Sequence, residues 1–219
     1  MLKKLAQRIG MYVALLIPAT SVAQNMVPNP SFEALNLCPP SIGGIDYSPG
    51  YTSFPTVRGW VSPMPTTNSS PDYFNSCASP ASGVFVPEAA FGYQNARTGK
   101  AYAGIIAWDG KYQGGTWTSD AREYLQCKLL QPMQAGRKYC VSFYANPTIT
   151  SNFGFNYVSL DAIGIHFSKT QLLQPTGYSI TAPVHVGNTA GNYLSDTANW
   201  IRISGDYIAT GGEEWLTVG

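Results

Sequence analysis

Charged residues are scarce in this chain. Asp, Glu, Lys and Arg make up 11% of its 219 residues, with 13 Lys+Arg against 12 Asp+Glu. No basic patch or Lys/Arg-rich run stands out, which argues against a nucleic-acid partner. Histidine is scarcer still. His166 and His185 are the only two, each alone in a strand-like segment, where a surface or half-buried polar role is commoner than catalysis. Neither a G-x-S-x-G elbow nor an H-E-x-x-H motif occurs, and no C-x-x-C spacing suggests redox or metal chemistry. The longest apolar run falls short of the ~20 residues that a membrane-spanning helix needs, so direct membrane insertion is not expected. Apolar spacing of three and four is missing, as are heptads and repeats, which argues against a helical fold.

That short apolar run has another use. Lys3, Lys4 and Arg8 form a basic start, "MYVALLIPATSVA" an apolar stretch, and Ser21 and Ala23 the small residues that signal peptidase requires. Residues 1–23 therefore read as an export signal, with cleavage before Gln24. Without those three cations the chain is near −2, and about 196 residues remain, enough for one well-buried domain, 24–219. A secreted protein, extracellular or at the outer-membrane surface, is expected.

Abundant Gly (22), Pro (16) and Tyr (14) suit strands joined by many turns. "SFEAL" reads as a short first strand, followed by an irregular stretch holding the candidate strands "VRGWV" and "GVFVP". "KAYAGIIAW", "AREYLQCKLL", "RKYCVSFYA", "SLDAIGIHFS", "TAPVHV", "NWIRISGDYIA" and "EEWLTVG" complete the set. "QPMQAG" (131–136) carries Pro then Gly and reads as a hairpin loop. Eight or nine strands with long excursions fit an all-β, two-sheet sandwich.

Four cysteines in an exported chain read as two disulfides. Cys38 and Cys77 share the loop-rich first third and pair there. By elimination Cys127 pairs with Cys140, yet alternation puts Cys127 on the apolar face of its strand and Cys140 on the polar face of the next. A bulge would be needed to bring them together.

Several segments, in their order, resemble one family. "VPNPSFE", "LLQPMQAGRKYCVSF" and "NWIRISGDYIATGGEEWLTVG" are similar to segments of jelly-roll carbohydrate-binding modules of the galactose-binding-like superfamily. "TNSSPDYFNSC", "GYQNARTGKAYAGI" and "DAIGIHFS" resemble a subgroup at the N-terminus of secreted bacterial surface proteins, ahead of OmpA-like or gliding-motility/type IX secretion parts. The resemblance implies a jelly-roll β-sandwich over residues 26–219, with a last strand missing beyond Gly219 and hence an unpaired edge. It also implies that Glu33 ligates a structural Ca2+, with Asp161 the other carboxylate on a core-facing strand position. For Glu33 a salt bridge or a turn hydrogen bond is an equal alternative.

Sugar-binding modules offer flat aromatic rings to the apolar face of a pyranose. Trp108, Tyr112 and Trp117, with Asp109, lie in a Gly-rich stretch and are the candidate carbohydrate contacts; capping of the sandwich by Trp117 is the plainer alternative. Trp60 and Trp200 are flanked by apolar alternation and read as core. Glu213 and Glu214 are adjacent in a strand-like run, point to opposite faces, and cannot form a facing glycosidase pair. The expected function is a non-catalytic binding or adhesion module for a glycan or cell-envelope component. A passive spacer ranks second and a glycoside-active enzyme third.

Overall fold

The alternation in "RKYCVSFYA" yields one of the two longest strands of the computed structural model. The structure describes residues 24–45, 56–64, 71–108, 121–148, 159–174 and 179–219, together with the backbone of 112–113 and 116–117. Twelve strands lie among these residues. In chain order they are β1 (Asp72–Asn75), β2 (Glu88–Ala89), β3 (Gly92–Tyr93), β4 (Ala101–Gly104), β5 (Tyr112–Gln113) and β6 (Thr116–Trp117). They continue as β7 (Leu125–Lys128), β8 (Lys138–Ala145), β9 (Gly164–Ser168), β10 (Val186–Gly187), β11 (Ile201–Ile208) and β12 (Trp215–Val218). The chain is all-β, in several small antiparallel sheets.

Two of these sheets enclose most of the core. The larger has the order β10-β9-β12-β7. The other is a ribbon of β8 and β11, paired over eight residues from Ile201↔Ala145 to Ile208↔Lys138. Tyr139, Val141 and Phe143 of β8 and Ile203 and Tyr207 of β11 turn inward, while Lys138, Cys140 and Ser142 stay exposed. Of these, Tyr139, Val141, Phe143 and Tyr207 join one core cluster with Leu125, Cys127, Ile165, Phe167 and Leu216 of the four-stranded sheet. Phe167 and Tyr207 stack across the gap with ring centroids 4.9 Å apart. The approach is close enough that a Cβ at Gly205 would sit 3.2 Å from Val186 Cγ1.

Three sequence expectations need correction. The turn at 131–136 is not a hairpin loop. It leads from β7, which pairs with β12, to β8, which pairs with β11, and so passes between sheets. Cys127 and Cys140 are not bridged: Cys127 is fully buried on the four-stranded sheet, whereas Cys140 is exposed on the ribbon and bonds to the Asp206 carboxylate. The face conflict in the sequence had a real cause, namely that the two thiols belong to opposite layers facing different ways. Burial pushes the Cys127 thiol up to about 12, which makes it a core apolar group rather than a nucleophile. Third, "SFEAL" forms only the single bridge Leu35↔Val57, because Phe32 takes φ 62° and interrupts extended backbone. The final strand, β12, lies inside the four-stranded sheet, with Leu216 opposite both Phe167 and Cys127.

The first third is built differently. Cys38–Cys77 closes a separation of 39 residues, a constraint that stabilises a domain by about 4 kcal/mol on the chain-entropy model. The segment around Asn29 is docked by specific bonds. The Asn29 side chain accepts from Ala34 N and donates to Ala34 O and Arg58 O, all at 2.9 Å. Trp60 donates to Asn29 O and Tyr73 to Phe32 O, and the Phe32 ring stacks on Trp60 at 4.9 Å.

Candidate functional site

An aromatic cleft of about 180 Å³ opens where the β2–β3 hairpin, β4, the end of β8 and the start of β11 converge. Tyr102 reaches it because β4 alternates: Ala101 is buried in the core cluster while Tyr102 turns the other way, onto Phe74. The two rings stack with centroids 4.7 Å apart, and Trp200 packs steeply against Tyr102, with centroids 5.6 Å apart and planes at 67°. Each such pair adds about 0.5–1.5 kcal/mol beyond area burial. Trp200 is oriented by its indole N–H, which donates to Asn95 O at 2.9 Å. Thr148 donates to Phe91 O and so ties two walls together. Ile105, Leu125, Phe143 and Val218 make the cleft continuous with the core.

The polar groups on the walls are neutral. Both amide hydrogens of Asn146 are donated to backbone, to Asp196 O at 3.2 Å and Asn199 O at 2.9 Å, which leaves its carbonyl oxygen as an acceptor. The Tyr102 hydroxyl bonds to no described residue. Burial, with Asp72 adding a smaller push, raises its pKa well above the usual tyrosine value, so it stays a donor. Tyr93 lies at the mouth, 59% exposed.

No family model, curated protein or solved structure matches the chain.

None of the carbohydrate contacts singled out in the sequence is among the described residues that line the cleft. Trp108 is half-buried after β4 and does not line the cleft. Tyr112 and Trp117 are register partners in the β5–β6 pair, and Asp109 lies outside the described residues. Trp60 is core, as its alternation predicts, but Trp200 is half-buried and forms a cleft wall. Alternating apolar neighbours mark both situations alike, so the sequence could not separate them. The usable signal was the cluster of aromatics in "FGYQNARTGKAY".

Glu33 and Asp161 are held by different segments, and each is bonded to backbone amides. Glu33 Oε1 accepts from Lys100 N at 2.8 Å and Ala101 N at 3.1 Å, fixing the start of β4. Gly99, at φ 68°, favours glycine, and a Cβ there would lie 2.4 Å from Glu33 Oε1 and push the carboxylate off those amides. Asp161 Oδ2 accepts from Gly191 N at 2.7 Å. Among the described residues no group of three or more His, Cys, Asp or Glu is placed to hold a metal ion. Glu213 and Glu214 do point apart. Glu213 is 2% exposed, and Glu214 reaches Lys128 on the surface at 3.0 Å.

The histidines are not isolated, contrary to the sequence reading. His166 and His185 stack at 4.7 Å, with Tyr207 against His185 at 4.7 Å. His166 Nδ1 meets Pro183 O at 2.8 Å, and His185 Nδ1 accepts from Phe167 N at 3.0 Å. Burial, then the neighbouring His166, lowers the His185 pKa against a weaker pull from Glu213.

Proposed function

We propose that this chain is a secreted, non-catalytic binding or adhesion module of the bacterial surface, a jelly-roll β-sandwich that takes up a glycan or another cell-envelope component. The observation that carries this reading is the aromatic cleft, where Trp200 and Tyr93 offer rings beside the Tyr102 hydroxyl and other neutral hydrogen-bonding groups. Rings of this kind complement the apolar C–H face of a sugar, and fixed polar groups read its hydroxyls. The Cys38–Cys77 disulfide supports an oxidising compartment, in keeping with the export signal read at residues 1–23. In this reading Glu33 is a structural anchor for β4 rather than part of a calcium site.

The test is a glycan array, followed by calorimetry on the strongest hits. Binding should fall at least about tenfold in Trp200→Ala and in Tyr93→Ala, while the circular-dichroism spectrum stays unchanged. Absence of binding across a broad glycan and envelope panel would favour a passive spacer. Glycan hydrolysis by the purified chain would overturn the non-catalytic reading.

A further inference from the structure

We infer that the cleft holds one uncharged sugar ring and discriminates against rings bearing a carboxylate or an ammonium group. This rests on the binding function proposed above and narrows its ligand. Size is the first argument. A cleft of about 180 Å³ lies below the roughly 300–1,000 Å³ of sites that enclose drug-sized ligands, so it fits a single ring or a chain end and not an enclosed oligosaccharide.

Charge is the second. None of the described residues lining the cleft is Asp, Glu, Lys, Arg or His. Arg97 does touch a wall residue, but its guanidinium is parked 3.6 Å from the centroid of the Tyr144 ring. A carboxylate or ammonium drawn in against Trp200 and Phe143 would lose water without meeting a counter-charge on the wall, whereas a hydroxyl can recover its lost hydrogen bonds from wall groups. The polar atoms on offer suit hydroxyls: the Tyr102 O–H as donor and the Asn146 side-chain oxygen as acceptor.

Calorimetry or ligand-observed NMR on the full chain would decide, using methyl glycosides matched in stereochemistry. Methyl glucoside, galactoside and N-acetylglucosaminide are the neutral set; methyl glucuronide, galacturonide and glucosaminide are the charged set. At least one neutral glycoside should bind about tenfold or more tightly than its charged counterpart. That binding should fall in Tyr93→Ala, a substitution at an exposed position that spares the core, as well as in Trp200→Ala. Arg97→Ala should leave it unchanged, and Thr197→Lys, which places a cation on the wall, should narrow the gap for the uronide. Equal or tighter binding of a charged glycoside overturns the inference, as does uronide binding that disappears in Arg97→Ala. Polymer binding on the array that is lost in Trp200→Ala, with no monosaccharide bound at all, overturns the single-ring inference and leaves the proposed function standing. Array binding that survives both aromatic substitutions removes the cleft from the proposed function itself.

Discussion

Two carboxylates withdrawn from solvent, Glu213 before β12 and Asp72 at the start of β1, sit in opposite circumstances. Glu213 Oε1 accepts from Tyr207 Oη at 2.8 Å, Thr210 N at 2.7 Å and Thr210 Oγ1 at 2.8 Å, and Oε2 accepts from Gly211 N at 2.9 Å. Burial pushes its pKa up, but the bonds from Tyr207 and Thr210 outweigh that and hold it at about 2. Asp72 accepts from Gly43 N at 2.5 Å. For Asp72, burial dominates that single bond, and with the Glu123 charge adding to it the pKa rises to about 7. Removal from water alone does not decide the charge of an acid. The number of donors aimed at it does.

The comparison breaks most visibly at Glu213. Glu213→Ala leaves the Tyr207 hydroxyl and the Thr210 and Gly211 amides without their acceptor, and should cost about 3 kcal/mol or more in denaturant melts. Tyr207→Phe, which removes one of the donors, should cost about 1 kcal/mol. Because the folded pKa lies below the ordinary 4.5, the Glu213 contribution is present above that pH and is lost as pH falls from 4.5 towards 2.

Asp72 should show the reverse sign. Its folded pKa of about 7 exceeds the ordinary 3.8, so between these values the folded chain keeps a proton that the unfolded chain releases. Stability from this group is therefore greatest below 3.8 and falls as pH rises towards 7. Asn keeps an oxygen for Gly43 N but cannot ionise. Asp72→Asn should accordingly stabilise the protein at pH 8 by about 2–4 kcal/mol, with little change at pH 4. Thermal melts across pH should place the stability contributed by these two acids at its greatest near pH 4. A Tm for Asp72→Asn equal to that of the natural chain at pH 8 would show that folding does not raise the Asp72 pKa.

Legibility in the sequence followed the strength of local pattern. β8, β11 and β12 were readable because Tyr139, Val141 and Phe143, or Ile203 and Tyr207, repeat with period two on a buried face. Which strands pair was not readable. The turn residues of "QPMQAG" serve a passage between sheets as well as a hairpin, and only the mismatch in facing between Cys127 and Cys140 hinted at separate layers. The cleft was missed for a related reason. It is assembled by chain pairing, from β4, β8, β11 and the β2–β3 hairpin, and no contiguous motif contains Tyr102, Asn146 and Trp200 together.

The same reason hid the histidine pair, and it sharpens the comparison on its smallest scale. In His185 the protonated form is the disfavoured one, because Phe167 N already donates to Nδ1 and a second N–H there would face a donor. The groups that face the ring are His166 on β9, Tyr207 on β11 and, at longer range, Glu213. Only Glu213 favours the charge, while burial and His166 oppose it more strongly. With a folded pKa below the ordinary 6.5, the contribution of His185 is complete above that value and is lost as pH falls through the folded pKa. This slope opposes that of Asp72 in the same region of pH and is the weaker of the two, since the ring is partly exposed. His185→Asn retains an acceptor for Phe167 N, loses the ring stack at every pH, and removes the titration. Its stability should therefore be lower overall yet fall more steeply with rising pH between 5 and 7 than that of the natural chain, because the Asp72 slope is then unopposed. NMR titration of the histidine C–H signals should find one imidazole below the ordinary value, and a His185 signal titrating above it would reverse the sign of the whole argument.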